Sequence, residues 1–262
     1  MSDLARNRTH HVSRLLLVSN RSTQIAFADM LGLSETTANF ITGIPTGSNP
    51  SQTEPLTEQM RVVFLLDIPT NITLTDISNA VQEGPIRSIH FGIDEEKKSR
   101  YCAVVFQHAI DSLNFTNVLL KESADSKPNR FKFIVDVVRG EDPYPMDDVL
   151  RAMAAPTNAS RRLTLVKAGF FSAGNKRAIH QKVEKIVGAG AIQILWLYNL
   201  GNATIVFSDV GSALAVKTAF DTWSRNGKDQ SLKGLQTTFS KCPGAQPLVL
   251  TSALPASANL PL

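Results

Sequence analysis

One pattern limits what this chain can fold into more than any other. Between Arg61 and Ser240 the same succession of strand and helix signals runs through twice. In the first pass, R-V-V-F-L-L-D-I-P from Arg61 reads as a strand that Pro69 ends. Leu74, Ile77 and Val81 then recur at helical spacing behind Thr73, an N-cap residue with Asp76 three positions on. Gly84-Pro85 stops that helix. Ile86–Ile93 and Ser99–Phe106 read as strands about the charged turn Asp94–Lys98, followed by a helix over Ala109–Lys121 and a strand over Phe131–Val138. In the second pass the strands are Leu163–Val166, Ala191–Tyr198, Ala203–Phe207 and Gly234–Ser240, and the helices Asn175–Val187 and Val210–Trp223.

Two units with the order β-α-β-β-α-β form an internal repeat of topology. That order predicts an α+β protein with two ferredoxin-like domains in tandem, each an antiparallel four-stranded sheet with both helices on one face. The expected boundaries are a flexible arm over 1–60, domain 1 over 61–140, a linker with a short helix over 141–160, domain 2 over 161–241 and a flexible tail over 242–262. Ser34–Pro55 is rich in Thr, Ser, Asn, Gly and Pro, too polar to offset its ordering entropy by burial.

Helices on one face leave the other face of each sheet for a partner. In Ser99–Phe106, alternation puts Cys102, Val104 and Phe106 toward the core and Tyr101, Ala103 and Val105 toward the open face. A tyrosine there offers a flat surface on which a nucleobase can stack. Charge points to a polyanion as well, but from the other half of the chain. Residues 161–241 carry twelve basic and four acidic side chains, whereas residues 61–140 carry ten of each. Cys102 and Cys242 form no spaced pair, and Cys102 sits where a small buried hydrophobe belongs. No histidine has a metal-ligand spacing, Gly188-Ala189-Gly190 is a helix stop rather than a phosphate loop, and no apolar run is long enough to span a membrane. The expectation is therefore a non-enzymatic protein with no cofactor, no metal and no small-molecule substrate.

At these strands the chain resembles tandem RNA recognition motif proteins. Val63–Ile68 is similar to the first-strand signature of that family and places Phe64 at its stacking position, with Leu66 next on the same face. Ser99–Phe106 is similar to the eight-residue third-strand signature at Tyr101, Val104 and Phe106, and departs from it at Ser99, Arg100, Cys102 and Ala103. In the second unit Leu163–Ala168 has Thr164 in the aromatic position. Leu200–Phe207 keeps Gly201, Ala203, Ile205 and Phe207, while Asn202 and Thr204 replace both aromatics. The G-P-I-x-S-I phrasing at Gly84–Ile89 resembles fungal multi-motif RNA-binding proteins.

The resemblance implies binding of single-stranded RNA in post-transcriptional regulation, in the nucleus or cytoplasm, beside other ribonucleoprotein components. A mitochondrial address is a minor alternative on the N-terminal arginines. Phe64, Leu66, Tyr101, Arg100 and Lys132 are the expected contacts in domain 1, and Lys167, Asn202 and Thr204 in domain 2. The rival reading of the same residues is a protein-interaction module on degenerate motifs, with the sheet aromatics covered.

One register decides two further residues. With a two-residue turn at Leu200-Gly201, Trp196 pairs with Ile205 and both Trp196 and Tyr198 face the core. With a three-residue loop both face the open sheet. The core orientation is the expectation, because burial is the commoner fate of a large aromatic.

Overall fold

The structure is a computed structural model, and it describes residues 54–94, 97–124, 130–131, 136–168, 173–199, 202–226, 230–248 and 250. After a helical turn, α1 (Leu56–Gln59), the first unit runs β1 (Val62–Leu66), α2 (Leu74–Ala80), β2 (Ile86–Ile93), β3 (Arg100–Phe106), α3 (Ala109–Ala124) and β4 (Asp136–Arg139). A short helix α4 (Asp148–Met153) follows. The second unit runs β5 (Arg162–Val166), α5 (Ala173–Val187), β6 (Ile192–Asn199), β7 (Asn202–Phe207), α6 (Val210–Asn226) and β8 (Gln236–Ser240). The sheets have strand orders β2-β3-β1-β4 and β6-β7-β5-β8, every pairing antiparallel. Each therefore puts its first and third strands at the centre, as the split β-α-β plan requires.

Local chemistry sets the elements. Thr73 and Asp76 form a reciprocal capping box: Thr73 Oγ1 accepts from the Asp76 N–H at 3.2 Å, and Asp76 Oδ2 accepts from the Thr73 N–H at 2.8 Å. Asp147 caps α4 by accepting from the Leu150 N–H at 2.7 Å. Alternation then sorts the strands. Val63, Leu65, Cys102, Val104 and Phe106 join Ile77, Phe115 and Leu119 of the helices in the first core. Leu163, Leu165, Leu195, Leu197, Ala203 and Ile205 join Ile179, Val183, Val216 and Phe220 in the second.

The two units are not beads on a string. The edge strand β2 donates the Ile89 N–H to the Ser208 carbonyl at 2.9 Å, and Ser88 bridges to Asp209. Arg161 has no exposed surface. It donates to the Phe207 carbonyl at 2.9 Å in its own unit and to Ser78 Oγ at 2.9 Å in the first.

Three expected boundaries change. The segment from Glu54 packs rather than trailing, because Arg61, itself buried, pairs with Glu54 and donates to the Tyr144 carbonyl at 2.9 Å. The linker packs too: Leu150, Met153 and Ala159 form a cluster with Val210. The stretch after β8, expected as tail, instead turns at Cys242–Gln246 and buries Cys242 in the core of the first unit. Residues 1–53 of the expected arm and 251–262 of the expected tail lie outside the described residues.

Candidate nucleic-acid interface

The helix-free face of the first sheet is covered over its β1 residues. Phe64 is 3% exposed, Leu66 and Val105 are buried beside it, and Tyr144 of the linker packs against this apolar cluster. Tyr101 remains partly exposed. Its ring lies over Gly92 on the neighbouring strand, where an added Cβ would sit 2.4 Å from Cζ, and it meets Phe64 edge-on at 6.0 Å. The absent side chain at Gly92 is what gives that ring its bed. Burial, with Asp94 nearby, pushes the Tyr101 phenol above its ordinary range. Phe64 and Leu66, expected as contact residues, thus spend their surface inside the protein.

Arg100 also departs from expectation. It pairs with Ile93 and shares the parity of Cys102, so it lies on the helix side. There its guanidinium stacks on Phe91, 3.7 Å from the ring centroid, and Nη1 donates to the carbonyls of Pro69, Thr70 and Ile72. Those bonds tie down the loop between β1 and α2 and turn the arginine away from the open face. Lys132 lies outside the described residues.

The second sheet differs. Trp196 pairs with Thr204 and Leu197 with Ala203, and the register slips by one residue between Leu197 and Asn199. Leu195 and Leu197 fill the core, so Trp196 faces the helix-free side. This reverses the expected core orientation. Long-range pairing, not the aromatic's own preference for burial, decides the face. Tyr198 lies on the same side, where its hydroxyl accepts from Arg162 Nη2 at 3.1 Å. Both aromatics are partly exposed.

Arg162 is the centre of this face. It occupies the central strand β5 and alternates with the core residues Leu163 and Leu165. Its Nε donates to Thr204 Oγ1 at 3.1 Å, and Thr204 Oγ1 donates onward to the Leu163 carbonyl at 3.0 Å. Thr204, expected as an RNA contact, is fully buried and serves instead to hold Arg162. Thr164 bonds Ser240 hydroxyl to hydroxyl at 2.6 Å on the neighbouring strand. Asn202 opens β7 opposite Val166 and Asn199. Lys167 donates to the Ser231 carbonyl at 2.6 Å, off the end of the sheet.

Sequence reasoning found the strands that build this face but not its leading residues. Arg162 precedes the signature strand, and Trp196 turns on a register that only the folded sheet defines.

No family model matches the chain, and no curated protein sequence matches it. Several solved structures do. The Sex-lethal RNA recognition domains 1 and 2 from Drosophila melanogaster are 14% identical over 69% of this chain and 99% of that one, at a TM-score of 0.23. RRM domains 1 and 2 of Prp24 from S. cerevisiae are 14% identical over 70% and 96%, at 0.28. The first two RRM domains of the yeast poly(U)-binding protein Pub1 are 15% identical over 69% and 99%, at 0.24. By its own element order and strand order, this chain is a tandem of two domains on the split β-α-β, ferredoxin-like plan.

Proposed function

We propose that the protein binds single-stranded RNA through the helix-free face of its second sheet. The observation that supports this reading most is the grouping of Trp196, Tyr198 and an arginine, held by neutral hydroxyls, on one face without helices. Aromatic faces stack on bases regardless of sequence, and the excess of basic over acidic side chains in this half, apart from the buried Arg161 and Lys176, supplies the sequence-blind attraction to phosphate. This places stacking and charge in the same domain, whereas Phe64 and Leu66 of the first sheet are taken up by contacts within the protein. Action in post-transcriptional regulation, in the nucleus or cytoplasm and beside other ribonucleoprotein components, belongs to the same proposal.

Ultraviolet crosslinking of the full chain to labelled single-stranded RNA, with peptide mapping, tests it. Crosslinks are expected on the peptides that contain Arg162–Val166 and Ile192–Asn199. Crosslinks confined to the first sheet or the helices, or none at low salt, would favour the protein-interaction reading.

A further inference from the structure

We infer that Arg162 reads guanine in the bound strand; this rests on the RNA reading above. A guanidinium carries five N–H donors in one plane. Two are engaged, Nε with Thr204 and Nη2 with Tyr198. Thr204 is itself fixed by its bond to the Leu163 carbonyl, so the plane is set from the backbone outward. The remaining three donors, two of them on Nη1, make no hydrogen bond or ion pair with the described residues.

Place and partners separate Arg162 from the other arginines near the sheets. Arg61 is paired with Glu54, Arg87 with Asp147, and Arg130 with Glu83 and Glu122. Arg100 lies on the helix side with Nη1 on three carbonyls and its plane on Phe91, and Arg161 is buried. Arg139 of β4 also keeps Nη1 unused among the described residues, but it shares the parity of the core residue Val137 and is bonded to Ser112 and Ala109 of α3, on the helix side. Arg162 combines a fixed plane, unused donors and partial exposure with a place on a helix-free face.

Its surroundings favour a base edge over a phosphate. It sits on a central strand beside Trp196 and Tyr198, where a stacked base would bring its edge, and its polar neighbours Thr164, Thr204 and Ser240 are uncharged. Two parallel N–H donors match the O6 and N7 acceptors of guanine. Adenine keeps N7 but presents a donor at position 6. Uracil and cytosine have no N7. A phosphate contact needs a point charge, which lysine supplies as well, whereas a two-acceptor base edge needs the planar fork.

The test measures anisotropy of the full-length protein with uridine-rich oligoribonucleotides that carry one guanosine, inosine, 7-deazaguanosine or adenosine. Guanosine and inosine, which both keep O6 and N7, are expected to bind about 10-fold tighter than the other two. Arg162→Lys should erase that preference, because an ammonium keeps the charge but lacks the planar fork. Arg162→Ala should erase it too, with circular dichroism confirming the fold of both variants.

Equal affinity for all four oligonucleotides would overturn the guanine assignment. So would an Arg162→Ala loss that is uniform across them and lowers the salt slope by about one, the mark of a phosphate contact. Absence of binding to every oligonucleotide would overturn the RNA reading and this inference with it.

Discussion

Cys242 follows the last strand of the second unit, yet its side chain is buried in the core of the first. Its Sγ accepts from the Ile86 N–H at 3.4 Å. Two positions on, Gly244 lies so close to β2 that an added Cβ would stand 2.6 Å from the Gly84 carbonyl oxygen. Cys242→Ala removes a buried sulfur, worth roughly one methylene at about 0.8 kcal/mol. It also takes an acceptor from a buried N–H, for about 1 kcal/mol more. The expected loss is about 2 kcal/mol, and it should fall on the first unit. In a unit of this size that lowers Tm by about 8–16 °C.

Hydrogen exchange by mass spectrometry separates the halves. Peptides from β2, β3 and α3 should lose protection more than those from β6, β7 and α6. Both tryptophans, Trp196 and Trp223, lie in the second unit and report its transition independently. Gly244→Ala reaches the same contact by overpacking, at about 1–3 kcal/mol. A loss confined to the second unit, or below about 0.5 kcal/mol in both variants, would refute the docking of this segment.

Three further outcomes are expected. Thr73→Ala breaks the capping box and should cost about 1 kcal/mol in urea unfolding, with the m-value unchanged. Burial, opposed by Arg87 and Arg61 and aided by Asp147, raises Tyr144 to about 12. The folded state therefore holds that proton more tightly than the unfolded chain, and the stabilisation is complete below pH 10 and lost as pH rises through about 12. Tyr144→Phe should flatten stability over that window when chemical unfolding is followed against pH. Burial lowers His90, with Arg87 and Arg161 adding to the shift and Asp209 opposing it. Its contribution is thus present above pH 6.5 and lost as pH falls below it, and His90→Gln should remove that acid loss in the same titration.

Local signals carried much of this fold. The helix at Leu74 starts where Thr73 and Asp76 say it should, and the parity of Ser99–Phe106 sorts Cys102, Val104 and Phe106 inward and Tyr101 outward. The same parity puts Arg100 on the helix side, although its bonds to the loop after β1 have no sequence signature. What local patterns could not supply came from distant partners. Trp196 and Leu197 are both apolar, so alternation leaves two registers open, and the pairing with β7 together with the slip before Asn199 chooses between them. Tyr144 against the first sheet and Cys242 in the first core are long-range contacts that no window of sequence contains. Each changed the candidate site: one covered the β1 part of the expected surface, and Trp196 opened another.

The most direct test of the RNA reading is the affinity of Trp196→Ala, Tyr198→Ala and the double variant for labelled single-stranded RNA at low salt, beside the unaltered chain. Each stack removed is worth about 1–3 kcal/mol, so the double variant should bind at least about 30-fold more weakly while its circular dichroism is unchanged. Unchanged affinity with the fold intact would contradict it.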